Sequence, residues 1–165
     1  MAFDAFLKID GIPGESTDDK HKDWIEVLSY GVGIQQPASA TASTAGGATA
    51  DRAHFQDFTI TKALDKASPK LALACADGMH IKHVTLELCR AGGDKMKYME
   101  YKLTNCIISS YHDGGFSGGA EDLPIENVSF NYGKIEWIYT QQKRADGSGG
   151  GQVVAGWDLQ TNKKV

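Results

Sequence analysis

The segment Val128–Tyr139, VSFNYGKIEWIY, decides the fold. Val128, Phe130 and Tyr132 alternate with Ser129 and Asn131, and Gly133 leads into Ile135, Trp137 and Tyr139. A period of two places one set of side chains on one face of a pleated strand, and the β-branched and aromatic residues suit that surface. The same period recurs on both sides. Phe3, Ala5, Leu7 and Ile9 alternate before a turn at Asp10-Gly11. Ile25 and Val27 oppose Glu26 and Leu28, and that run continues to Ile34. Val84, Leu86 and Leu88 alternate until Gly92-Gly93. Met99, Tyr101 and Leu103 alternate, after which the apolar phase moves to Cys106 and Ile108. A phase slip of this kind predicts a β-bulge near Thr104-Asn105. Val153, Ala155, Trp157 and Leu159 form the last set.

One segment reads as helix. Ser68 fits an N-cap and Pro69 the first helical position. Leu71, Leu73, Ala74 and Cys75 supply apolar surface, and Gly78 fits the left-handed C-terminal cap. Roughly eight strands and one short helix imply an antiparallel barrel or sandwich, and 165 residues without a solenoid repeat suit a single domain over 1–165. Between the strand-like Trp24–Pro37 and the next pattern lies a run of only Ala, Ser, Thr and Gly, from Ala38 to Ala50. Such a run has too little apolar surface to order itself, so it reads as a long extended loop, an arm that orders against a neighbouring copy.

Composition excludes several classes. Hydrophobic residues make up 41% and charged residues 23%, ordinary for a globular protein. A net charge of −4 argues against nucleic acid as a partner. There is no 18-residue apolar run, so no membrane insertion is expected. The opening MAFDAFLKIDG lacks a basic region followed by an apolar core and does not read as a signal peptide. Cys75, Cys89 and Cys106 are odd in number and lie in apolar surroundings, as buried, reduced thiols do.

Candidate chemistry is sparse. Gly115-Phe116-Ser117-Gly118-Gly119 matches the G-x-S-x-G pattern of serine hydrolases, which requires a strand, a sharp turn and a helix. No amphipathic helix follows Ser117, so the run reads as a glycine-rich loop rather than a nucleophile. His21, His54, His80, His83 and His112 show no metal-ligand spacing, and His80 and His83, three apart, point to opposite faces of a strand instead of joining Cys75 or Cys89. Asn127-Val128-Ser129 matches a glycosylation acceptor but without a signal peptide has no route to that machinery. No catalytic residue, cofactor or metal is expected.

Taken in order, the segments resemble the haemolysin-coregulated protein family, the inner-tube proteins of type VI secretion systems. AFLKIDGIPGES (Ala5–Ser16) resembles the family's opening strand, and WIEVLSYGVGIQQP (Trp24–Pro37) its second strand. HFQDFTITKALDKASPKLALAC (His54–Cys75) carries the most specific match, D-F-x-x-x-K-x-x-D-K-x-S-P-x-L. AGGDKMKYMEYKL (Ala91–Leu103), LPIENVSFNYGKIEWIYTQQKRADGS (Leu123–Ser148) and AGWDLQTNKKV (Ala155–Val165) complete it.

The resemblance implies an antiparallel β-barrel of two sheets with one short flanking α-helix. It implies homohexameric rings that stack into a hollow tube inside a contractile sheath, capped by a VgrG-like spike protein. The tube carries small secreted effectors, moves from cytoplasm to exterior without a signal peptide, serves virulence or bacterial competition, and catalyses nothing. Under that reading Ser29, Gly31, Gly33 and Gln35 face the water-filled lumen and contact effectors, while Leu28, Tyr30, Val32 and Ile34 face the core. Thr41, Ser43, Thr44, Gly46 and Gly47 belong to a ring-stacking loop. Two other classes compete: a stand-alone β-sandwich module binding a ligand or carbohydrate through Trp24, Trp137 and Trp157, and an esterase built on Ser117.

Overall fold

A computed structural model describes residues 2–37, 52–118, 123–143 and 149–165. The proposed stacking positions Thr41, Ser43, Thr44, Gly46 and Gly47 lie outside the described residues. The elements, in order, are β1 (Phe3–Ile9), β2 (Ile25–Val27), β3 (Ser29–Gly31), β4 (Ile34–Gln35), β5 (His54–Phe55), β6 (Phe58–Ala63), α1 (Ser68–Asp77), β7 (Ile81–Arg90), β8 (Lys97–Gly114), β9 (Ile125–Gln142), β10 (Gly149–Asp158) and β11 (Lys163–Lys164). All pairings are antiparallel.

Nine strands form one sheet along the path β11-β10-β9-β8-β7-β1-β2, with β6 joining β3 to β9; β4 and β5 form a separate ribbon. The expected barrel is corrected on this point, because among the described residues no unbroken ladder closes the sheet. The two ends meet through the bent segment 25–31 instead. Its β2 half pairs with β1 and its β3 half pairs with β6. At the bend the Leu28 N–H donates to the Thr61 carbonyl at 2.8 Å. The bend also reverses the side-chain phase. Ile25 and Val27 point into the core, Leu28 is 60% exposed, and Tyr30 then packs on Phe58 and Tyr101. Leu28, expected in the core, is therefore on the surface; Ile34, likewise expected in the core, is 48% exposed on the separate β4–β5 ribbon.

The phase slip in β8 is real but is not a bulge at Thr104-Asn105. Thr104 and Cys106 keep register with Lys134 and Tyr132, and the shift in register falls between Ile108 and Ser110. Asn105 instead adopts a left-handed φ of 55°, a conformation that Asn tolerates better than most residues. The neighbouring strands make the same step. The row Val84–Leu103–Ile135 is buried, and so is the row Ile81–Cys106–Tyr132, three residues along in each strand. The step is a crease shared by β7, β8 and β9.

The helix runs Ser68–Asp77 with Pro69 in its first turn, and Gly78 closes it at φ 68°. Ser68 and Leu71 are buried, as is Ala74, so the helix covers one end of the sheet with one narrow face; Leu73, expected on that face, is 63% exposed. Ser68 is not the N-cap. Ala67 holds that position, and its N–H donates to Asp65 Oδ1 at 2.9 Å. Alternation alone misplaces two further side chains, one covered and one left bare. Phe6, on the outward phase of β1, is buried beneath the 13–24 loop, and Val153 at 69% exposure shows the last alternating set is not core along its first half. Cys89 and Cys106 are buried, whereas Cys75 is half-buried.

Candidate functional site

The four positions proposed for the lumen are brought together only in part. Ser29 and Gly31 lie on β3 opposite Thr61 and Thr59, while Gln35 lies on the β4–β5 ribbon opposite His54. Gly33 sits between them, its carbonyl accepting from the Gln56 N–H at 2.9 Å. A Cβ at Gly31 would meet Thr59 Oγ1 at 3.3 Å, so the side chain of a larger residue would rise over the sheet.

The sheet continues this surface across three more strands. The register lines up Ser29, Thr61, Asn127 and His112 in one row, and Gly31, Thr59, Ser129 and Ser110 in the next. Thr61 donates to Asn127 Oδ1 at 2.8 Å, and Thr59 donates to the Gly31 carbonyl at 3.2 Å. Below them, Asp57 accepts from Ser109 at 2.6 Å and from Asn131 at 3.2 Å. The result is a wall of hydroxyl, amide and glycine positions, four strands wide, spanning β3, β6, β9 and β8. Sequence reasoning found only its β3 members, because the others lie some 30 to 100 residues further along the chain and are brought beside them by register alone.

Behind the wall, on the opposite face of the same strands, sits a buried ionic network. Lys62 and Glu126 are direct cross-strand partners and are both fully buried. Lys62 Nζ donates to Glu126 Oε2 at 2.8 Å, to the Ala63 carbonyl at 2.9 Å and to Ser68 Oγ at 3.3 Å, and pairs with Asp65 Oδ1 at 2.8 Å. Ser68 and Tyr111 donate to the two Glu126 oxygens at 2.9 and 2.7 Å. Burial acts to raise the Glu126 carboxyl, but the hydrogen bonds from Lys62, Tyr111 and Ser68 outweigh it and hold the group below the ordinary glutamate value. Burial and then the Glu126 carboxylate push the Tyr111 hydroxyl up. The network pins α1 to β6 and β9, and it uses the Lys62, Asp65 and Ser68 positions of the D-F-x-x-x-K-x-x-D-K-x-S-P string. The sequence marked that string but not its purpose.

A second polar cluster holds the 13–24 loop against β1 and β7. His21 is 3% exposed. Its Nδ1 lies 2.8 Å from Asp18 Oδ2 and its Nε2 lies 2.6 Å from Glu87 Oε2. The ring stacks on Phe6 at 4.2 Å and meets Trp24 edge-on at 4.8 Å. Lys95 donates to Asp18 at 2.8 Å, and this bond, with that of His21, draws the Asp18 carboxyl down to about 2. Gly14 allows the loop to fold back: its N–H donates to the Asp23 carbonyl at 2.8 Å, and a Cβ there would lie 2.3 Å from the Trp24 carbonyl oxygen.

The remaining sequence candidates scatter. His80 and His83 are exposed. Cys89 does meet a histidine, but it is His21, whose Nε2 lies 4.0 Å from Sγ. Ser117 is exposed on the loop after β8, and the next described element is the strand β9, not a helix. Trp24, Trp137 and Trp157 are half-buried; Trp137 and Trp157 pack against the core, and Trp157 also stacks on Phe55 at 6.4 Å. No described helix is long and apolar enough to cross a membrane.

Known proteins place this arrangement. The family described as type VI secretion system effector, Hcp, matches residues 6–139. The chain is 36% identical to protein hcp1 of Pseudomonas aeruginosa over 163 residues, covering 98% of each. It is 29% identical to the major exported protein of the same organism, over 76% of this chain and 74% of that one. A solved type six secretion system protein superposes with a TM-score of 0.93 at 39% identity, over 99% of this chain and all of that one. Hcp1 from Salmonella typhimurium superposes at 0.78 with 33% identity, again over 99% of this chain and all of the other.

Proposed function

The chain belongs to the haemolysin-coregulated protein family and is a tube and effector protein of a type VI secretion system, and from that premise we propose how its surfaces are used. Six copies close into a ring, rings stack into a tube, and the polar wall of β3, β6, β9 and β8 lines the lumen. The observation that carries this is the wall itself. A channel that must pass varied cargo is served by hydrogen-bonding groups that hold nothing tightly, and the Asp57 carboxylate below them is already taken up by Ser109 and Asn131. Ser29 and Gly31 sit at its centre; Gly33 and Gln35 extend it along the chain toward the ribbon.

Ring closure needs a head-to-tail interface, and β10 supports one. Among the described residues its outer edge is engaged by the C-terminal segment only at residues 156–158. Val153 and Val154, on opposite faces of the strand, are 69% and 60% exposed. An apolar edge strand left open is otherwise an aggregation hazard, so a partner copy is its natural cover. Stacking of rings is assigned to the 38–50 loop, through Thr41, Ser43, Thr44, Gly46 and Gly47. The spike protein, contractile sheath and small effectors follow from the family role, as does passage from cytoplasm to exterior. The family is one of structural secreted proteins, and we assign the chain no catalysis.

Native mass tests the ring. Six copies of the 17.8 kDa chain weigh about 107 kDa, and an obligate interface typically buries more than about 2,000 Å² and resists dilution. A stable monomer by sedimentation at micromolar concentration would refute the proposal.

A further inference from the structure

We propose that His21, Glu87 and Cys89 form a binding site for one zinc-class divalent cation per chain. Their nearest ligand atoms, one nitrogen, one oxygen and one sulfur, all lie within 4.8 Å of one another. They come from the 13–24 loop and from two nearby positions on β7, so the site exists only in the folded chain.

The surroundings are those of a ligand set. The Asp18 carboxylate sits on Nδ1 at 2.8 Å, which fixes a proton there and turns Nε2 toward Glu87 and Cys89. Carboxylates commonly orient metal-binding histidines in this way. Phe6 and Trp24 clamp the ring from face and edge. Lys97 takes Glu87 Oε1 at 3.4 Å, leaving Oε2 for the interior. Lys97 itself is held more closely by Glu100, at 2.7 Å, and Lys95 by Asp18 at 2.8 Å.

Charge favours a cation. The Asp18 and Glu87 carboxylates flank the His21 ring at 2.8 and 2.6 Å, and their negative charge attracts a positive ion. Ligation uses the Cys89 thiolate and the Nε2 lone pair, so a proton carried by either atom leaves to solvent as the divalent ion binds. Imidazole, thiolate and carboxylate together select zinc or cobalt over magnesium or calcium. In a tetrahedral zinc site the bonds are about 2.0–2.2 Å to nitrogen and oxygen and about 2.3 Å to sulfur, which sets ligand atoms roughly 3.3–3.7 Å apart. From 2.6 Å, Nε2 and Oε2 must therefore part by about 0.7–1.1 Å, while Sγ, 4.0 Å from Nε2, closes slightly. Water takes the fourth position.

The test is a cobalt titration of the full chain after chelator treatment. A thiolate-to-cobalt charge-transfer band should saturate at one ion per chain. Cys89→Ser should reduce the band at least tenfold, while Cys75→Ser and Cys106→Ser should retain it. Absence of the band in the wild-type protein, or its survival in Cys89→Ser, overturns the site. Should Cys89→Ser fail to fold, X-ray absorption of the zinc-loaded wild type decides. One sulfur at about 2.3 Å with nitrogen or oxygen at about 2.0–2.2 Å supports the site, and a shell without sulfur overturns it.

Discussion

Lys62 and Glu126 are each fully buried and each charged, which makes them sensitive to the loss of either partner. Breaking a buried pair leaves an uncompensated charge and typically costs about 3–5 kcal/mol, whereas replacing both members with apolar groups costs far less. Lys62→Met should therefore lower the urea midpoint sharply. The double variant Lys62→Met/Glu126→Leu should recover a substantial part, though Tyr111 and Ser68 then lack their acceptor. Equal loss in the single and double variants would show that no pairing energy is involved. The same carboxylate predicts a pH dependence. Its folded value lies below the ordinary glutamate value of 4.5, so its contribution is complete above that pH and is lost as pH falls through the lower folded value. Glu126→Gln should flatten the stability profile on the acid side below about pH 4.5 relative to wild type. Parallel profiles would place the acid sensitivity elsewhere.

Among the elements, most strands were legible because alternation is a local property. β1, β7, β8 and β9 follow the apolar phases of their segments, and α1 follows Pro69 and Gly78. What was hidden is what another part of the chain covers or leaves open. Phe6 reads as outward until the 13–24 loop folds over it. Ser68 reads as a cap until Glu126, 58 residues later, claims its hydroxyl. His21 has no recognisable spacing to Glu87 and Cys89, since a contact 66 residues away leaves no local pattern. Only the β3 members of the polar wall could be read, since the others are matters of register. β10 failed in the opposite direction: its alternation is genuine, but half of it is bare. Val154→Lys should accordingly leave the fold's stability within about 0.5 kcal/mol, as surface changes do, yet shift the sedimenting species from ring to monomer. A ring of unchanged mass would move the interface away from β10.

For the whole molecule, assembly and folding should separate. The described core, the Lys62 network and the His21 cluster are complete among other residues, so a deletion of Thr41–Ala48 should leave melting temperature and ring mass close to wild type. Halving a loop changes its closure entropy by only about 0.6 kcal/mol. Ring-on-ring stacking and secretion should fall, because a modest loss at each junction repeats along the tube. Collapse of thermal stability would assign the loop to the folded core, and unchanged tubes by electron microscopy would make it a linker.

The crease at Asn105 has a bearing on how this chain can change length. Because β7, β8 and β9 step together between the Val84–Leu103–Ile135 row and the Ile81–Cys106–Tyr132 row, a residue gained or lost near the step in one strand would exchange inside for outside in that strand alone. Its two neighbours would still present the old pattern. Descendants of this sequence are thus free to vary in size where strands are joined, and are held to a fixed count where three strands turn at once. An alignment gap near Asn105 would have to appear in all three strands or in none.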